Sequence, residues 1–252
     1  MKKESREQMK NALMQSQKLE AIGTLAGGIA HNFNNILYAI KGYVAMARQD
    51  TVNDHVTYQN LGKVLEAVER GQELVNGILS FSRCDHERAF ESVSLRRAIE
   101  SALVLLQSTL PPSIELHIDL ALKDEEIFGN YTQLQQVFVN LIRNAVQAMS
   151  SKGTVKIEAH IENDIAYLKS LHPGLPCAAY CMINVIDQGS GIDTDVLERI
   201  FEPFFTTKDV DQGTGLGLAT ARSIIKDHNG EILVKSLVGS GSCFSVLLPL
   251  SE

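Results

Sequence analysis

The chain has 252 residues, 44% of them hydrophobic and 21% charged, with a net charge of -7. This is the composition of a soluble globular protein with one large core or two modest ones, and the acidic balance argues against nucleic acid as a partner. No apolar run approaches the roughly 18 to 20 residues needed to span a bilayer, so no membrane contact is expected of this segment.

The opening, MKKESREQMK, is charged and has no apolar signal region behind it. The four cysteines, Cys84, Cys177, Cys181 and Cys243, form no evident disulfide framework or CxxC pair, which suits a reducing cytoplasm. His172, Cys177 and Cys181 make a weak zinc pattern without a fourth ligand, and buried small hydrophobes are the ordinary reading of such cysteines.

Residues 1–18 read as the tail of a signalling helix in a piece of a longer protein. Apolar residues then fall at Leu19, Ile22, Ala26, Ile29, Phe33, Ile36 and Ile40, steps of three and four that define one helical face. No proline interrupts residues 1–110, so a first helix is expected from about residue 9 to about residue 48. A polar break, RQDTVNDH, separates it from a second pattern through Leu61, Leu65, Val68, Val75, Ile78 and Leu79. A two-helix hairpin cannot enclose a core alone, so its apolar stripe is expected to meet a second copy in a four-helix dimer.

Near residue 90 the texture changes. Helical patterns at Leu95–Leu106, Gln133–Ser150 and Leu216–His228 alternate with strand-like runs. Those runs are Ile114–Leu120, Thr154–Ile161, Tyr180–Asp187, Glu231–Ser236 and Ser242–Leu248. Residues 163–179, with both prolines of HPGLP, read as a long loop. The expectation is an α+β sandwich with helices on one face of a mixed sheet, divided as a tail (1–18), a helical-hairpin domain (19–88) and a sandwich domain (89–252).

Three motifs in this second half carry chemistry. In NLIRNA, Asn140 and Asn144 lie four apart and project from one helix face. In DQGSGI, Asp187 offers a carboxylate acceptor that suits an amine donor such as that of adenine, and Gly189 and Gly191 permit close approach. In GTGLGL, small residues from Gly213 onward open a helix, where backbone N–H groups and the positive end of the dipole favour phosphate. Taken singly, the first is as easily a solvated helix face and the second a simple turn. No GxxxxGK[ST] loop is present and the strings HRD and DFG are absent.

In order, Asn140-xxx-Asn144, Asp187-x-Gly189-x-Gly191, FEPFFTTK and Gly213-Thr214-Gly215-Leu216-Gly217 resemble the N, G1, F and G2 boxes of sensor histidine kinases. These kinases share a Bergerat-type ATP-binding superfamily with gyrase, Hsp90 and MutL. LxxGGIAHNFNN in the first half resembles their H box, closest to the HDFNN subtype of nitrogen-regulation and many hybrid kinases. The resemblance covers about residues 15–252. It implies that Asp187 bonds the adenine amine, with Gly189, Gly191 and Ile192 shaping that pocket. It implies ATP and Mg²⁺ as cofactors, with Asn144 a metal ligand, Asn140 supporting metal and phosphates, and Arg143 near phosphate. Residues 201–214 become a lid anchored by Phe201, Phe204 and Phe205, with Thr206, Thr207 and Lys208 at the nucleotide. Gly213, Thr214, Gly215, Leu216, Gly217 and Leu218 make the phosphate cradle.

By the same resemblance His31 is the phosphoacceptor. On a helical wheel it sits with Gly27, Gly28, Asn35 and Gly42, opposite the apolar stripe, in a patch kept low by glycines. Two adjacent glycines cost a helix roughly 1 kcal/mol each, and here they make room for the ATP-binding domain and then for a response-regulator receiver domain, the second partner expected. Asn32 departs from the family, where an acidic residue accepts the imidazole proton, so slow autophosphorylation is expected. Asn35, four residues on, matches the position that orients water for dephosphorylating the regulator. A phosphatase-biased or weakly active signalling partner is therefore the alternative reading. A motor-like ATPase is disfavoured, because ATP-hydrolysing relatives carry a glutamate where this chain has Asn140. The expected location is the cytoplasm, or the cytoplasmic part of a membrane-bound sensor.

Overall fold

The computed structural model describes residues 33, 35–51, 54–82, 90–107, 109–123, 125–150, 152–175, 179–207 and 214–250. The chain forms two compact units, Met1–His86 and Glu87–Glu252. Among the described residues, no helix is long and apolar enough to cross a membrane.

The first unit is a helical hairpin. Residues 35–50 are helical (α1), and His55–Ser82 form α2. At the polar break expected near residue 50, Thr51 Oγ1 donates to the Ala47 carbonyl at 2.9 Å, closing α1. Asp54 opens α2, its carboxylate accepting from the Thr57 N–H at 3.3 Å and the Thr57 hydroxyl at 2.6 Å. The helices meet where α2 has glycines. A Cβ on Gly71 would lie 3.4 Å from both Leu37 methyls, and one on Gly62 would lie 3.8 Å from the Arg48 guanidinium, which also stacks over the Tyr58 ring. The stripe Phe33, Ile36 and Ile40 flanks this contact and stays 53%, 57% and 39% exposed. Within one chain nothing described covers it. The start expected for α1, near residue 9, lies outside the described residues.

The second unit is the mixed sandwich expected. Its five-stranded sheet runs in the order β2 (Ile114–Leu120), β4 (Gly153–Glu162), β5 (Tyr180–Asp187), β7 (Gly241–Pro249) and β6 (Glu231–Leu237). Only β2 and β4 are parallel, and every other pair is antiparallel. Alternation sets the faces: Val155, Ile157 and Ala159, Cys181, Ile183 and Val185, and Phe244, Val246 and Leu248 are all buried in the main core. Helices α3 (Leu95–Gln107), α4 (Tyr131–Ala148) and α7 (Gly217–Asp227) cover that side. On α4 the buried set Leu134, Val137, Phe138, Leu141, Ile142 and Ala145 follows steps of three and four, and Asn130 caps the helix by accepting from the Gln133 N–H at 3.1 Å.

Four short elements escape the sequence pattern. β1 (Glu91–Ser94) and β3 (Glu126–Gly129) form a two-stranded antiparallel sheet, and α6 (Thr194–Leu197) is one turn. Four residues are too few for a periodicity to show. The expected loop 163–179 contains a helix, α5 (Ile165–Leu171), capped by Asp164 through the Ala166 and Tyr167 N–H groups. Leu168 and Leu175 join Tyr180 and Leu247 in a small cluster on the opposite face of the sheet from the main core. The helices therefore cover one face fully and a corner of the other.

The zinc pattern does not assemble. Cys181 packs in the main core, its thiol pushed up to about 12 by burial, whereas His172 follows α5 on the other face, 3.9 Å from Glu231. Cys177 lies outside the described residues. No group of three metal-binding side chains occurs among the described residues.

Candidate nucleotide site

Asp187 ends β5, opposite Ser242 at the start of the β7 ladder. Asp187 is 3% exposed, and its Oδ1 accepts from the Gly189 N–H at 2.8 Å and the Ser242 N–H at 3.3 Å. Burial pushes the carboxyl above its ordinary range, and the two N–H bonds pull partly back. Oδ2 has no hydrogen-bond partner among the described residues. The backbone thus fixes one oxygen of an acid and leaves the other to accept.

The glycines after Asp187 are required by contact. A Cβ on Gly189 would come within 2.6 Å of the Ala148 carbonyl at the end of α4. Gly191 has φ +69°, and a Cβ there would lie 2.1 Å from the Leu237 carbonyl. Hydrogen bonds close the same seams: Ser190 N to the Ala148 carbonyl at 3.1 Å and Gly239 N to the Ser190 carbonyl at 2.7 Å. Ile192 is half-buried, its N–H held by Ser236 Oγ at 2.8 Å. The loop is clamped between α4 and the β6–β7 hairpin.

Asn140 and Asn144 lie on one face of α4, both half-buried. Asn140 turns towards α7: its Nδ2 donates to the Gly217 carbonyl at 3.1 Å, and its Oδ1 accepts from Gln136 Nε2 at 3.0 Å. The Asn144 amide has no hydrogen-bond partner among the described residues. Arg143 is exposed between them.

The base of the expected lid is a backbone contact. Phe204 N donates to the Gly215 carbonyl at 3.0 Å, and both residues adopt positive φ, +67° and +66°. Phe201 and Phe205 pack against the core, under Arg222 and Arg199 at 5.0 and 4.3 Å. Thr206 and Thr207 are exposed. Thr214 is half-buried, and its Oγ1 accepts from the Leu216 N–H at 3.3 Å. The Leu216 side chain is 1% exposed and Leu218 packs against the core, so Leu216 offers a ligand its backbone alone. α7 then starts at Gly217 without a side-chain cap, leaving its first N–H groups and its positive dipole end open to an anion.

Lys208 and Gly213 lie outside the described residues, as do His31 and Asn32. Asn35 is exposed on α1. Three contributors went unread in the sequence. Ser242 binds Asp187, Gln136 orients Asn140, and Gly241, at φ +92°, would bring a Cβ within 2.0 Å of the Asp187 carbonyl. The GSGS run at 239–242 was the available signal, since it repeats small residues where a second strand must approach Asp187.

Residues 129–252 match the family of histidine kinase-, DNA gyrase B- and HSP90-like ATPases, and residues 21–87 match the His Kinase A phospho-acceptor domain. The chain carries both domains of a histidine kinase core. It is 38% identical over 245 residues to the sensor kinase CckA of Brucella abortus, covering 96% of this chain and 25% of that protein. It is 34% identical over 248 residues to the signal transduction histidine-protein kinase AtoS of Escherichia coli, covering 98% and 38%. The kinase core therefore spans about a quarter to two fifths of the length of these curated relatives. Among solved structures, the catalytic domain of the histidine kinase ThkA matches with a TM-score of 0.53 and 28% identity over 66% of this chain and all of that one. Full-length ShkA in complex with AMPPNP matches in fold, with a TM-score of 0.66 and 22% identity over 91% of this chain and 46% of that one.

Proposed function

We propose that this chain is the catalytic core of a two-component sensor kinase that phosphorylates its own His31 from ATP and passes the phosphoryl group to an aspartate of a response-regulator receiver domain. The observation that carries this reading is Asp187, a buried carboxylate with Oδ1 fixed by two backbone N–H groups and Oδ2 open to the adenine amine. The uncapped start of α7 supports it at the other end of the nucleotide. The motif His31-Asn32-Phe33-Asn34-Asn35 supports kinship with the nitrogen-regulation and hybrid subtype, and the likeness to the sensor kinase CckA supports the sensor role. The working location is the cytoplasm or the cytoplasmic part of a longer sensor.

The chemistry follows from residue types. Asp187 orients the purine, and the first turn of α7 meets the phosphates. Asn144 suits Mg²⁺, because its half-buried amide oxygen is a hard donor without a competing partner among the described residues. When bound, Mg²⁺ neutralises charge that develops across the phosphates. Neutral His31 attacks the γ-phosphorus through Nε2, the bond from γ-phosphorus to the β–γ bridging oxygen breaks with its electron pair leaving on ADP, and the Nδ1 proton is lost to solvent. The exposed stripe Phe33, Ile36 and Ile40 fits a homodimer.

Asn32 favours a second reading, a core biased towards removing phosphate from the regulator, with Asn35 orienting the water. The test incubates the protein with Mg²⁺ and γ-labelled ATP, beside Asn32→Asp and His31→Ala. Acid-labile, base-stable label that disappears in His31→Ala supports the kinase reading. ATP binding without label on any variant supports the second reading and overturns the first.

A further inference from the structure

The two asparagines of NLIRNA are one turn apart and chemically similar, yet their amides are differently engaged. We infer that Asn140 is a positioning residue for the phosphate-facing end of α7, acting through the Gly217 carbonyl and itself oriented by Gln136, and that it is not a metal ligand. The inference rests on the nucleotide reading above and assigns the division of labour within it.

A backbone carbonyl only accepts, so the group of Asn140 that meets the Gly217 oxygen at 3.1 Å must be its NH₂. That leaves Oδ1 facing Gln136 Nε2 at 3.0 Å, where an acceptor is needed. Both ends of the amide are committed, and only one orientation satisfies both partners. The Asn140 side chain also lies next to the glycine: a Cβ on Gly217 would be 3.8 to 4.0 Å from Asn140 Cγ, Cβ and Oδ1. Gly217 is the first residue of α7, and α7 has no side-chain cap of its own. The hydrogen bond from α4 therefore pins the first turn of α7 from outside the helix. Asn144, without such a partner, keeps its oxygen available. The arrangement also gives a reason for an amide rather than an acid at position 140, since a carboxylate would set oxygen against oxygen at the Gly217 contact.

Asn140→Asp separates the two roles. At pH 8 the carboxylate is ionised and is a better Mg²⁺ ligand than an amide, but it has no donor for Gly217. If Asn140 positions α7, Asn140→Asp weakens ATP and ADP binding by about tenfold or more, the scale of one well-made hydrogen bond, and does so equally with Mg²⁺ and with chelator. KM for ATP rises while kcat changes little, because phosphate contacts are lost alike in ground and transition states. Gln136→Ala gives a smaller loss in the same sense, about threefold to tenfold, and Gln136→Arg, which restores a donor to Oδ1, recovers it. Gln136 is exposed, so these variants serve if Asn140→Asp fails to fold. Mg·ATP bound by Asn140→Asp as tightly as by wild type, or a loss seen only with Mg²⁺, overturns the inference. So does a Gln136→Ala protein with unchanged affinity. Failure of the wild type to bind ATP strikes instead at the nucleotide reading itself.

Discussion

His228, at the end of α7, accepts the backbone N–H of Asn130, the N-cap of α4, through Nε2 at 2.9 Å. Its Nδ1 lies 2.7 Å from the Ile224 carbonyl, so that nitrogen carries the proton and the ring is held neutral in one tautomer. Phe90 stacks on it at 4.6 Å, and a Cβ on Gly129 would strike it at 2.6 Å. Burial holds the imidazole below its ordinary pKa, against the opposing pull of the Ile224 carbonyl and Asp227. The unfolded chain then binds the extra proton first. The stabilisation is complete above about pH 6.5 and is lost as pH falls from there towards the folded-state pKa, by at most about 1.4 kcal/mol per pH unit. His228→Leu should lose about 1 to 3 kcal/mol at pH 8, because the Asn130 N–H loses its His228 acceptor, and should show a flatter decline towards pH 5. Urea unfolding of both proteins from pH 5 to pH 8 measures this, and parallel profiles would rule the titration out.

Gly215 and Gly217 are two residues apart and should respond differently to alanine. At Gly215 the backbone is left-handed, and a Cβ would sit 2.4 Å from the Phe204 carbonyl carbon. Gly215→Ala must push Phe204 away and open the base of the lid, costing about 1 to 3 kcal/mol of stability together with nucleotide affinity. At Gly217 the nearest atom is 3.8 Å away, so Gly217→Ala should fold within about 0.5 kcal/mol of wild type. Thermal unfolding paired with ATP titration compares the two. Equal destabilisation would contradict the contact argument.

Asp187→Asn separates recognition from stability. The asparagine Oδ1 can still accept from Gly189 and Ser242, but under the proposed nucleotide reading its NH₂ would meet the adenine amine, donor against donor. ATP affinity should fall by about a hundredfold or more, the discrimination that buried polar groups impose. Stability should not fall. Because burial raises the folded-state pKa, this group stabilises the fold below the ordinary carboxylate range and ceases to do so as pH rises through that pKa. At pH 7 the buried charge is a net cost, which the amide removes. A variant that is less stable than wild type at pH 7 would show that the carboxylate is structurally needed.

The stripe on α1 predicts association. Ile40→Glu places a charge at a position 39% exposed in the single chain, where Leu37 and Val44, not Ile40, are half-buried. The hairpin should persist by circular dichroism while the molar mass by light scattering falls from dimer to monomer. An unchanged mass would mean that the second copy meets another surface.

The long elements were legible because periodicity accumulates with length: Ile114–Leu120 and Tyr180–Asp187 were read to the residue. α5 was hidden by the prolines beyond it, although Asp164 before an apolar run was a usable cap signal. The pieces of the site that are side chains in a motif, Asp187, Asn140 and Asn144, could be read. Gln136 and Ser242 could not, since each acts by bonding another site residue, 4 and 55 positions away, across a helical turn and across a strand pair. The direction of the Asn140 amide likewise depends on the Gly217 carbonyl, 77 residues along the chain.

The residue after His31 sets the last prediction. An acidic side chain there can orient the imidazole and take its proton as the Nε2–phosphorus bond forms. Asn32 retains the shape and an acceptor oxygen but has no basicity at neutral pH, so the proton must leave to water. Base catalysis of this kind contributes about 10²–10⁴-fold. Asn32→Asp should therefore raise the initial rate of His31 labelling by up to about that range, with KM for ATP unchanged, because position 32 adjoins the acceptor in sequence and belongs to none of the nucleotide motifs. Single-turnover labelling of both proteins at pH 8 measures this. Equal rates would mean that proton removal does not limit this kinase, and that Asn32 matters for the regulator rather than for ATP.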